Sequence, residues 1–197
     1  MNYPNQLDIL STDSIFEFLD DHYLRQDPYA FKNDDFRKFV RDCVKRLGVD
    51  PNAIYCIGSG ATGLSLNPKK IKHGKLKAFD NHSDLDIAII SETHFETAWR
   101  DLREKDHPVV AELDDELQRL MRWQRSRFFD GAILASKILP GLSFGNEWIT
   151  SLEGVKSTAS ILIGRPVEVN IWIYRDYWSM RSYVAKSLDR CRKETKR

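Results

Sequence analysis

Apolar residues along the chain recur with a few clear periods. Phe36, Phe39, Val40, Cys43, Val44 and Leu47 fall at i, i+3, i+4, i+7, i+8 and i+11, the spacing of a helix with one buried stripe. Asn33 is its expected cap and Gly48 its expected C′ stop. A second stripe, Ile15, Phe18, Leu19 and His22-Tyr23, predicts an earlier helix over Ser11 to Arg25, with Ser11 to Ser14 offering N-caps. Two short apolar runs, Ala53 to Ile57 and Leu85 to Ile90, read as buried strands. Val167 to Tyr174 alternates strictly in its first half and reads as another. Thr93 to Lys105 and Pro108 to Phe129 read as helices, the first capped by Ser91 or Thr93, the second with Pro108 near its first turn. Between Gly131 and Gly164 the pattern is mixed, with Asn146 to Ile163 mostly helical. Arg175 onward reads as an amphipathic helix with a basic tail.

The order is helix, helix, strand, helix or loop, strand, helices, strand, helix, without an internal repeat or a clear linker. It predicts one α/β domain (α+β in its segregated parts), a core over 51–197 preceded by a helical lead over 1–50. The 197 residues are enough to bury a core without staples. A net charge of +1 gives no overall field that argues for nucleic acid or membrane, so any such case rests on local clusters. Cys43, Cys56 and Cys191 lie far apart, with neither metal-ligand nor redox spacing, and Cys43 and Cys56 read as small core residues. Met1 to Leu10 has no basic or apolar region of the signal-peptide kind. No apolar run approaches the roughly 20 residues that span a bilayer, so no membrane partner is expected and the cytoplasm is the default compartment.

Two of the strands carry chemistry at their ends. Asp84 and Asp86 flank one residue where an apolar strand begins. Residues i and i+2 share a face, which puts the two Cα atoms roughly 6–7 Å apart. Such a pair suits joint capture of Mg²⁺, a hard ion that takes carboxylates together with substrate phosphates. Two ions of that kind can clamp the attacking and leaving oxygens of an in-line displacement. Gly58-Ser59-Gly60 follows the other strand. Glycine lets the backbone approach a ligand closely, N–H groups of a turn or helix starting there would face a phosphate, and Ser59 adds a hydroxyl. Each motif alone is commonplace: an Asp-x-Asp is more often a solvated turn, and a Gly-Ser-Gly usually a loop. Their occurrence at equivalent ends of two buried strands is what carries weight.

Gly58-Ser59, the later Gly63, and Ser83-Asp84-Leu85-Asp86-Ile87 resemble the signature of the polymerase-beta nucleotidyltransferase superfamily. That family includes aminoglycoside nucleotidyltransferases, AMP-adding antitoxins, and oligoadenylate and cyclic-dinucleotide synthases. The resemblance covers Ala53 to Ile90 and implies a mixed central sheet flanked by helices. It implies transfer of NMP from an NTP, ATP or dATP first, to a hydroxyl acceptor with release of pyrophosphate. Mg²⁺ or Mn²⁺, two ions, would be the cofactor. Asp84 and Asp86 would be catalytic and hold metal. Gly58, Ser59, Thr62, Ser83 and Asn170 would contact the nucleotide. The acceptor is open among an oligonucleotide, a partner protein and a small molecule of the antibiotic type, with signal synthesis or protein nucleotidylation in bacterial antiphage defence as the context by analogy. A homo-oligomer or a partner from the same operon fits that context.

Two features depart from the family. The segment between Ser59 and Asp84 is longer than usual and contains Lys69, Lys70, Lys72, His73, Lys75 and Lys77. It reads either as a solvated loop or as a basic flap over a triphosphate or nucleic-acid acceptor. The family also places a third carboxylate on a later strand, where this chain has Glu168 and Asn170. Glu168 is the expected third catalytic and metal-binding carboxylate. If Asn170 occupies that position instead, a catalytically inactive nucleotide-binding subunit becomes the competing reading. Arg119, Arg122, Arg125 and Arg127 form either a solvated helix face or a phosphate contact. His82 reads as a loop residue, and Trp172, Tyr174, Tyr177, Trp178 and Tyr183 read mostly as packing of the last helix.

Overall fold

The two apolar runs and the alternating run form β1 (Ile54–Ile57), β2 (Leu85–Ile90) and β4 (Val169–Tyr174) in the computed structural model, which describes residues 3–11, 13–23, 27–106 and 115–195. A further short strand, β3 (Ala132–Leu134), completes a four-stranded sheet of order β1-β2-β4-β3. The sheet is mixed: β1 runs antiparallel to β2, β2 parallel to β4, and β3 antiparallel to β4. Leu85, Ile87, Ile89, Val169, Ile171 and Ile173 form one face and are 0–3% exposed. The other face carries Asp86, Asn170, Trp172 and Tyr174, because every second side chain changes sides.

Eight α-helices are present among the described residues: α1 (Gln6–Ser11), α2 (Ile15–Tyr23), α3 (Asp35–Leu47), α4 (Ser59–Thr62), α5 (Glu92–Lys105), α6 (Asp115–Phe129), α7 (Gly145–Ile163) and α8 (Tyr177–Thr195). The stripe on α3 buries Phe36, Phe39, Cys43 and Leu47, and α3 packs on α7. Gly48 closes α3 in the left-handed region with its N–H bonded to the Val44 carbonyl. The cap differs from expectation by one residue: Asp34 precedes the helix, while Asn33 takes a positive φ of 50°. Ser91 caps α5, its Oγ accepting from the His94 N–H at 3.3 Å. Helix α1 was not legible as a period, but Asn5 Oδ1 accepts from the N–H groups of Leu7 and Asp8 at its start. The expected ends at Arg25 and Pro108 lie outside the described residues. The hydrophobic cluster runs from Ile9 and Phe18 through the sheet to Cys191, so the helical lead shares the core of the rest. Among the described residues no helix is long and apolar enough to cross a membrane.

Candidate functional site

Ile57, the last residue of β1, stands opposite Asp86 in the antiparallel pair. The chain must therefore turn into α4 directly beside that carboxylate. Gly58 makes the turn at φ 65° and ψ −148°, a region open essentially to glycine alone. A Cβ at Gly58 would sit 3.0 Å from Asp86 Oδ2. The glycine is thus required both by backbone conformation and by the carboxylate it abuts.

Asp86 is half-buried. Its Oδ1 accepts from Nδ2 of Asn170 at 3.1 Å and from the Trp172 indole N–H at 3.3 Å. Burial pushes the Asp86 pKa up; the bonds from Trp172 and Asn170 oppose it, Asp84 adds to it and Lys70 lowers it. Asp84, at the mouth of β2, is exposed. Ser83 closes the turn before it: Oγ accepts from the Asp80 N–H and donates to Asp80 Oδ1, both at 3.0 Å. Arg165 holds the same turn from the β4 side, donating to the carbonyls of Asp80 at 2.8 Å and Ser83 at 3.2 Å with its guanidinium 5.0 Å from the centroid of Phe79.

One cavity of about 430 Å³ gathers these groups: Gly58, Ser59, Ser83, Asp84 and Asp86 line it. That volume falls in the range of about 300–1,000 Å³ usual for small-molecule sites. Lys69 and Lys70 from the basic segment also line it, with Trp123 and Arg127 of α6, Trp172 and Tyr174 of β4, and Tyr183 and Arg190 of α8. The basic segment is therefore more than a solvated loop. It buries Leu66 and Leu76, and Gln6 of α1 clamps it by donating to the Gly74 carbonyl and accepting from the Leu76 N–H, both at 2.9 Å. Lys72, His73 and Lys75 are exposed and do not line the cavity.

Three expected residues stand elsewhere or act otherwise. Glu168 precedes β4, is 72% exposed in its side chain, and pairs with Lys156 of α7 at 3.1 Å; it does not line the cavity. Its carbonyl accepts the Leu85 N–H at 2.8 Å at the start of β2. Asn170 stands directly opposite Asp86 in the register and donates to it rather than lining the cavity. Thr62 is buried and donates to the Leu64 carbonyl at 3.1 Å, a local closure of the turn after α4. Among the described residues no three His, Cys, Asp or Glu side chains gather as a metal site.

Sequence reading missed Trp123, Arg190 and the Trp172 indole as cavity groups. Trp123 and Arg127 lie four residues apart, the helical spacing that brings side chains together, and this was the one available signal. Of the four arginines considered on α6, Arg125 pairs with Asp106 at 2.5 Å, Arg119 and Arg122 bond within the helix, and Arg127 lines the cavity. No family model, curated protein or solved structure matches the chain.

Proposed function

We propose that the chain is a nucleotidyltransferase of the polymerase-beta type, moving NMP from an NTP to a hydroxyl acceptor. The observation that carries this reading is the charge arrangement of the cavity. Two carboxylates, Asp84 and Asp86, share it with Lys69, Lys70, Arg127 and Arg190, and none of those four cations is in an ion pair among the described residues. Unpaired cations suit a polyanion such as a triphosphate. Paired carboxylates in the same space suit the divalent ion that travels with it.

The donor set fits Mg²⁺ or Mn²⁺. Asp86 Oδ1 is taken by Asn170 and Trp172, while Oδ2, on the Gly58 side, remains available beside exposed Asp84. Two protein carboxylates with phosphate oxygens and water completing the shell is an ordinary arrangement for Mg²⁺. The bound ion would neutralise charge developing on the phosphoryl oxygens. The chain's own groups do the rest. Lys69, Lys70 and the Ser59 hydroxyl grip the triphosphate, Gly58 admits it close to the backbone, and Asp84 receives the acceptor's proton. The acceptor oxygen bonds to the α-phosphorus as the bond to the pyrophosphate oxygen breaks. Alignment and charge stabilisation supply most of the rate.

A second reading is favoured by one observation: Asn170 faces Asp86, and Glu168 is paired with Lys156. With only two carboxylates the chain would bind nucleotide without transferring it, as a regulatory subunit. Incubation with α-labelled NTP, Mg²⁺ or Mn²⁺, and candidate acceptors separates the two. Label on protein, on an oligonucleotide ladder or on a small molecule identifies both activity and acceptor; nucleotide binding with no transferred label supports the regulatory reading.

A further inference from the structure

Trp123 is 45% exposed, too open to serve the core, yet it lines the cavity that holds Asp84 and Asp86. The Arg127 guanidinium lies 3.4 Å from its ring centroid, and Arg127 Nη1 donates to the Trp123 carbonyl at 2.6 Å. A guanidinium covers one face of an indole, and the ring has no aromatic partner among the described residues. Trp99 and Arg103 on α5 repeat the same spacing at 5.0 Å, but they line a separate depression without Asp84 or Asp86.

The pair is held in fixed relation to the carboxylates. Gln124, fully buried, donates Nε2 to the Leu134 carbonyl at 2.9 Å and accepts the Leu134 N–H at 3.1 Å. Leu134 stands opposite Trp172 in the β3–β4 pair, and Trp172 donates to Asp86. The residue adjoining Trp123 is thus hydrogen-bonded to β3, which pairs with the strand that carries Trp172. A flat π-surface backed by a cation, beside a phosphate-binding wall, has the features that bind the base of a nucleotide by stacking.

We propose that the Trp123–Arg127 pair is the nucleobase platform of the cavity. This rests on the nucleotidyltransferase reading. The base is the donor NTP's or that of an oligonucleotide acceptor, and the two share the same stacking chemistry.

The test is calorimetric titration of wild type, Trp123→Ala and Trp123→Phe with three probes in Mg²⁺: inorganic tripolyphosphate, ATP and a short oligoadenylate. Trp123→Ala is expected to bind tripolyphosphate like wild type and to lose about tenfold or more in affinity for a base-bearing probe, with Trp123→Phe recovering most of the loss. A loss for ATP assigns the platform to the donor; a loss confined to oligoadenylate assigns it to the acceptor. Unchanged affinity of Trp123→Ala for both base-bearing probes overturns the platform. A parallel fall in tripolyphosphate affinity also overturns it, because the substitution then acts through Arg127 or the fold and not through stacking of a base. Wild type that binds none of the three probes overturns the nucleotidyltransferase reading, and this proposal falls with it.

Discussion

Asn170 Nδ2 donates to Asp86 Oδ1 at 3.1 Å, across the parallel β2–β4 pair in which the two residues stand directly opposite. A neutral amide therefore stands against the half-buried carboxylate, at the place where, under the proposed function, an acidic side chain would complete a three-carboxylate site. Asn170→Asp should set like charges against each other and raise the pKa of one of them. The metal-free protein should lose stability, with a fall in Tm of a few degrees. Added Mn²⁺ should restore it, because an ion bound only by the folded state stabilises it. Thermal melts of both proteins with and without Mn²⁺ check this; an ion that stabilises wild type and variant equally contradicts it.

Gly58→Ala combines two penalties, a backbone region other residues rarely enter and a Cβ 3.0 Å from Asp86 Oδ2. The strain alone costs of order 1–3 kcal/mol. Denaturant unfolding should show that loss, and nucleotide affinity should fall further than it does for Ser59→Ala, which removes only a hydroxyl.

The apo protein should also carry a pH signature. Burial raises the folded pKa of Asp86 above its unfolded value of about 3.8, so in the window above that value the folded state binds more protons than the unfolded state. Stability from this group therefore falls as pH rises through the window. Asp86→Asn keeps an oxygen that can accept from Asn170 and Trp172 and removes the buried charge. In EDTA at neutral pH it should melt higher than wild type, by roughly 2–4 °C for each 1 kcal/mol gained, and the difference should shrink as the pH is lowered. A variant that melts lower at every pH contradicts this.

Gln124 supplies both hydrogen bonds to Leu134 at an otherwise unpartnered side of β3. Gln124→Leu leaves a buried N–H and a buried carbonyl unsatisfied, a loss of roughly 2–4 kcal/mol. Urea unfolding measures it; a loss below about 1 kcal/mol would mean that water or another group replaces the amide.

The parts legible in the sequence were those with long or strongly apolar periods. The stripe from Phe36 to Leu47 placed α3 to within one residue at its cap, and the runs ending at Ile57 and Ile90 placed β1 and β2. β3 escaped because Ala132-Ile133-Leu134 is too short to show a period, and its edge is completed by the Gln124 side chain rather than by another strand. At the site, Gly58 and Asp86 were readable because each sits at the end of an apolar run, and the pairing of those two runs brings them together. Glu168 was not, since its place just before the strand gave no sign that Lys156, on the preceding helix α7, would take its carboxylate. Trp123 and Arg190 were invisible for the same reason: tertiary packing alone brings α6 and α8 to the cavity.

In the proposed function, Asp84 and Asp86 together drive metal-dependent NMP transfer. Its most direct measurement is pyrophosphate release from ATP, with Mg²⁺ or Mn²⁺ and a panel of oligonucleotide, protein and small-molecule acceptors, by wild type and by the double variant Asp84→Ala, Asp86→Ala. Release by wild type that requires the metal and falls at least a hundredfold in the double variant, of the order lost with a principal electrostatic group, is the predicted result. Release that survives the double substitution, or wild type that binds ATP and releases none under any condition, contradicts it.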